Sequence, residues 1–142
     1  MEIIIATLVM THITIVCVTL YLHRSQAHRG IEFHPVISHF MRFWLWLNCA
    51  FFGWVGALIW GIQMIWIPFW AAGVINGVGH WWGYRNGKTQ DHSRNIVPWG
   101  IVIGGEELHN NHHLEPASAR LSKKWYEFDI GWMWLSLFRV LG

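Results

Sequence analysis

The chain has 142 residues, 54% of them hydrophobic and only 13% charged, with 12 Trp and a formal net charge of +2. Soluble domains carry about a quarter charged residues, so this composition excludes an ordinary water-soluble fold and points to one domain of a membrane protein. A charge this small also argues against a nucleic-acid partner.

Residues 3–22 lack Asp, Glu, Lys and Arg, and about 20 such residues suffice to cross a bilayer as a helix. There is no basic stretch before them and no small-residue cleavage site after them, so they read as a retained span. Cys17 and Cys49 both lie in apolar surroundings and imply buried small side chains rather than a disulfide. A polar segment follows, interrupted by Gly30 and Pro35, and "VISHFMR" at 36–42 starts a helix at the interface. Phe43–Tyr84 then runs 42 residues without a charged side chain. That length is two spans, placed at about Phe40–Trp60 and Ile62–Trp82, with Gly73, Gly77 and Gly79 allowing close helix approach. The tail "KKWYEFDIGWMWLSLFRVLG" predicts an interfacial helix with tryptophans at headgroup depth.

The expected fold is therefore all-α, a polytopic membrane protein of about three transmembrane helices plus interfacial helices. With three crossings, all ten Lys and Arg fall on one side and only Glu2 on the other. The positive-inside rule makes the basic side cytoplasmic, where the basic residues would meet lipid headgroups or an anionic acyl carrier.

That same side carries the histidines. In "HNNHH", His109, His112 and His113 stand at i, i+3 and i+4, within one arc of a helix at about 100° per residue. In "HRSQAH", His23 and His28 are i, i+5, about 140° apart on an ideal α-helix, and would straddle a site. In "NGVGHWWGYRN", Asn76 and His80 share a face near the end of the third span, where polar side chains are usually functional. Three separate elements thus bring six histidines and one asparagine to one depth. An all-imidazole site suits iron, copper or zinc. Six imidazoles exceed the needs of one tetrahedral zinc, which leaves two metals, or one metal with surplus ligands.

In these three motifs the chain resembles the membrane-bound fatty acyl desaturases, in particular the bacterial acyl-CoA or acyl-lipid type. "HRSQAH" matches the first histidine box, "NGVGHWWGYRN" the Asn-x-x-x-His segment and "GGEELHNNHH" the last box. The resemblance implies a di-iron centre that activates O2 and introduces a double bond into an acyl chain. The electrons would come from a ferredoxin, a rubredoxin-like protein or a cytochrome. It further implies iron ligands at His23, His28, His80, His109, His112 and His113, with Asn76 reaching iron through a water, and an integral protein of the bacterial inner membrane.

The family's central box, His-x-x-His-His, has no counterpart here. The flanking pieces meet near Asn48–Gly53, "NCAFFG", so residues 1–142 read as a single desaturase-like domain that is internally shortened. The alternative is a chain without catalysis of its own, a metal-binding membrane protein or the partner of a full-length homologue. Glu106 and Glu107 are expected to lie behind the ligands or at the surface. His34 and His39 read as interfacial, His12 as an interhelical hydrogen bond, and His92 as solvated.

Overall fold

A computed structural model describes residues 1–141. Helix accounts for 64% of the chain. Helix α1 (Glu2–Val16) continues without a break into a π-helical stretch, Cys17–Ala27. Helix α2 (Pro35–Pro68) runs on through a second π-helical stretch, Phe69–Ile75, into α3 (Asn76–Trp81). Two short helices, α4 (His109–Leu114) and α5 (Ile130–Leu141), follow. Two-residue strands precede each of them, β1 (Trp99–Gly100) before α4 and β2 (Phe128–Asp129) before α5, and the two pair in parallel.

Two continuous helical runs, 4–27 and 35–81, are long and apolar enough to cross a membrane. The second is not straight. Gly53 sits at φ 57°, ψ −138°, a conformation that side chains with a Cβ rarely adopt. The packing shows what this does. Trp44 and Gln63 would lie about 28 Å apart on a straight helix. Both nevertheless meet the Thr14 side chain, Trp44 Nε1 at 2.9 Å and Gln63 Oε1 at 2.7 Å. The chain therefore folds back at Gly53, and three helical legs result, residues 2–27, 35–52 and 54–81. The expected turn between Trp60 and Ile62 is displaced to Gly53, which takes a positive φ within the helical run 35–81, whereas Gly61 stays inside the third leg. Residues 36–42 start a helix as expected, and it runs on as the second leg, entered through His34, whose Nδ1 accepts from Val36 N at 3.3 Å.

The buried apolar core joins the first leg (Val16, Cys17, Leu20, Tyr21) to the second (Met41) and to α5 (Leu135). Helix α5 begins only at Ile130, where the Asp129 carboxylate accepts from Trp132 N at 3.0 Å. Its Trp134 Nε1 donates to His12 Nε2 at 3.0 Å. His12 thus makes the expected hydrogen bond between helices, and Trp134 is engaged in packing.

The polar end of the first leg is locked to the C-terminal region by Arg24. Its guanidinium pairs with both oxygens of Asp129 at 3.0 and 3.2 Å and donates to the carbonyls of Ala119 and Gly104. With 3% of its side chain exposed, Arg24 is not the headgroup contact expected of the basic residues. Bidentate pairing with a carboxylate offsets the desolvation of an arginine.

Candidate metal centre

The six histidines of the three motifs converge, and they divide into two groups of three: His23 with His28 and His112, and His80 with His109 and His113. Within the first group, His23 Nε2 lies 3.1 Å from His28 Nε2 and 3.3 Å from His112 Nε2. In the second, His109 Nε2 lies 3.3 Å from His80 Nε2. Ligands about 2.1 Å from one ion stand about 3.0–3.4 Å apart when their bonds make tetrahedral or right angles. The donor set and spacing therefore fit one first-row transition metal in each group.

Two features of this division depart from the α-helical expectation. His23 and His28 do not straddle a site but join one group, with ring centroids 4.6 Å apart. The cause is the π-helix. The His28 N–H reaches the His23 carbonyl at 3.1 Å, and an i→i+5 bond brings residues five apart round to the same face. Conversely, the "HNNHH" helix does not send its histidines to one place. His112 turns to the first motif, while His109 and His113 turn to His80.

Second contacts fix the rings. The carboxylate of Asp91 is hydrogen-bonded to His113 Nδ1, and its carbonyl lies 2.7 Å from His80 Nδ1. Holding Nδ1 in this way leaves Nε2 free to bind a metal. Gly79 leaves room for His109: a Cβ at position 79 would lie 2.7 Å from His109 Cδ2. The two asparagines of the motif are fully buried and anchor α4. Asn110 Oδ1 accepts from Asn86 N and Gly87 N, and its amide donates to the carbonyls of Gly87 and Ser93. Asn111 accepts from Asn86 and Asn95 and donates to Leu121 O and Glu127. Sequence reading missed Asp91, Asn110, Asn111 and Glu127. The polar character of "HNNHH" between histidines was the available signal for the asparagines.

The electrostatics favour metal binding. Burial pushes His109 down to about 4 and His112 down to about 3, with the neighbouring histidines adding to the effect. Both are therefore neutral imidazoles at physiological pH, the form that binds metals. Glu106 and Glu107 are buried rather than at the surface. Burial raises Glu106 to about 7, against the opposing pull of Arg24. Glu107 accepts from Val102 N and Ile103 N at 2.6 and 3.0 Å and holds the turn before α4.

Asn76 lies beside the two groups. It is exposed, in the wall of a cavity of about 280 Å³ on which both groups open through His23, His109, His112 and His113. The rest of that wall is largely apolar, with Val18 from the first leg and Ile67, Ala71, Ala72 and Ile75 from the third. His34 caps α2, His39 stacks on Phe43 at 5.9 Å and His92 is exposed. None of the three enters either group.

The comparisons with known proteins agree with the motifs. A Delta-9 desaturase-like 5 protein of Arabidopsis thaliana is 36% identical over 113 residues, covering 73% of this chain and 34% of the relative. The chain is related to the fatty acyl desaturases. The Delta-9 acyl-lipid desaturase 1 of the same plant is 33% identical over 108 residues, 75% of this chain and 35% of the relative. The sn-1 stearoyl-lipid 9-desaturase of Anabaena variabilis is 28% identical over 122 residues, 80% of this chain and 44% of the relative. The chain thus spans between a third and a half of the length of these curated relatives. No family model matches it, and no solved structure matches it significantly.

Proposed function

We propose that the chain is a membrane-embedded, desaturase-like oxidoreductase acting on fatty acyl chains, with two iron ions held by its two groups of three histidines. The observation that carries this reading is the opening of both groups onto one cavity with a largely apolar wall. Iron bound there supplies O2 activation and removal of hydrogen from an unactivated carbon chain.

The residues have separable roles. His23, His28 and His112 hold one ion, and His80, His109 and His113 the other. Asp91 fixes two rings of the second group. Asn76, on the cavity wall, positions a water toward the metals. Val18, Ile67, Ala71, Ala72 and Ile75 face methylene groups and keep bulk water away from the reacting carbons. At about 280 Å³ the cavity encloses a stretch of chain and leaves the carrier outside. The carrier is coenzyme A or a lipid, and the names of the relatives favour a lipid. Electrons come from a ferredoxin, rubredoxin-like protein or cytochrome.

The three legs are about 39, 27 and 42 Å long; the first and third exceed the hydrocarbon core of about 30 Å, and the second, at 18 residues, is within the roughly 17–25 that span one. The histidines lie on the basic side, which is cytoplasmic by the positive-inside rule, in a bacterial inner membrane. Residues 1–142 act as a single domain whose second and third legs are joined directly at Gly53; the glycine reversal lies in the stretch where the family's central box is missing.

A second reading, a metal-binding membrane protein that serves a longer homologue, starts from the missing His-x-x-His-His box: no histidine stands between His39 and His80. One assay separates them. Protein loaded with ferrous iron is reconstituted with saturated acyl lipid, a reducing system and O2, and the lipid is analysed for monounsaturated chains. The first reading expects product that requires O2 and reductant and vanishes in His112→Ala. Iron-loaded protein that makes no product supports the second.

A further inference from the structure

Glu106 stands apart from every other carboxylate around the histidines. It is 5% exposed and lines the same cavity as His23, His109, His112 and His113. Its Oε1 has no hydrogen-bond partner, although it is fully buried. The nearest cation is Arg24, whose Nε is 4.0 Å away, beyond hydrogen-bond reach, and is itself unpartnered. The charge of Arg24 is already committed to Asp129 through both terminal nitrogens. Its other oxygen, Oε2, lies 3.8 Å from His23 Nε2. Glu107, by contrast, is turned to the backbone of residues 102 and 103.

A buried carboxylate without hydrogen bonds is strongly unfavourable unless a cation lies beside it. Two donors on one ion are separated by about 3.0 Å at a right angle and about 4.2 Å when opposite. The 3.8 Å between Glu106 Oε2 and His23 Nε2 falls in that interval. We propose that Glu106 is a carboxylate ligand to the metal held by His23, His28 and His112. This rests on the reading of the histidine groups as metal sites.

The consequence is an asymmetric pair. One ion has three nitrogens and an oxygen, the other three nitrogens from protein. A hard oxygen donor beside imidazoles shifts preference toward iron(II), as in mixed histidine–carboxylate oxygenase sites.

The test is an anaerobic titration with cobalt(II), read as bound metal per chain and as d–d absorption, on the unaltered protein, E106Q and H112A. Glutamine keeps the shape and removes the charge. The expected result is two sites in the unaltered protein. In E106Q the site that H112A removes should weaken at least tenfold, with a changed d–d band, and the other site should be unchanged. Unaltered affinity and spectrum in E106Q would overturn the assignment while leaving the histidine sites standing. No cobalt bound to the unaltered protein would overturn both. Should E106Q not fold, the infrared difference between cobalt-loaded and metal-free unaltered protein decides. A shifted carboxylate band that is absent from the same difference for H112A supports the assignment, and its absence overturns it.

Discussion

Asp91 and His113 form a carboxylate–imidazole pair that also reaches His80 through the Asp91 carbonyl. The pair fixes two of the three rings in the second histidine group and lies outside the first. Replacing such an outer partner typically lowers metal affinity about 10–100-fold. Asp91→Asn is therefore expected to weaken one of two metal sites by that factor and spare the other. Competition with a chelator of known affinity resolves the two.

The reversal at Gly53 makes a separate prediction. A Cβ at φ 57°, ψ −138° costs about 1–3 kcal/mol. Gly53→Ala should lower the unfolding temperature in detergent by several degrees, whereas Gly61→Ala, at a helical position with open space around it, should not. Thermal unfolding followed by circular dichroism compares the two.

Arg24 and Asp129 give the largest expected loss of stability. Removing one partner of a buried ion pair costs about 3–5 kcal/mol, because the other charge is left unpaired. Asp129→Ala should therefore unfold much of the protein at ambient temperature. The double variant, Arg24→Met with Asp129→Ala, should recover part of that loss. A double-mutant cycle on denaturation free energies checks this.

The pH dependence of the metal-free protein follows from His109, His112 and Glu106. The folded values of the two histidines, about 4 and 3, lie below the unfolded value of 6.5, so between these limits the unfolded chain binds more protons. Their contribution is complete above 6.5 and is lost as pH falls. Glu106, raised from 4.5 to about 7, acts with the opposite sign, contributing stability below 4.5 that is lost as pH rises through 7. Two against one leaves a net excess of about one proton on the unfolded chain between pH 4.5 and 6.5, and stability falling by about 1.4 kcal/mol per unit of acidification. Glu127, held below its usual range by burial-resisting hydrogen bonds from Tyr84 and the backbone of Lys123 and Lys124, adds a loss in the same direction below 4.5. Denaturation midpoints at pH 5 and 7 measure the difference.

The histidine inventory and the apolar spans were legible because each is a local pattern. The division of the inventory was not. A reading at 100° per residue puts His23 and His28 on different faces, and only the π-helical bond between them reverses that. Long-range partners were hidden for a similar reason. Nothing near Arg24 announces Asp129, which lies 105 positions away. Gly53 ends the stretch 48–53 that the sequence marks as a junction, but Gly61 offers the same chemistry and only packing distinguishes them.

The central claim is that each histidine group holds its own metal. Iron bound per chain, measured after anaerobic loading in mild detergent, tests it most directly with His112→Ala and His80→Ala as separate variants. Two irons are expected in the unaltered protein and one in each variant, with the double variant binding none. One iron in the unaltered protein, lost entirely in either variant, would show that the six histidines serve a single ion and would contradict it.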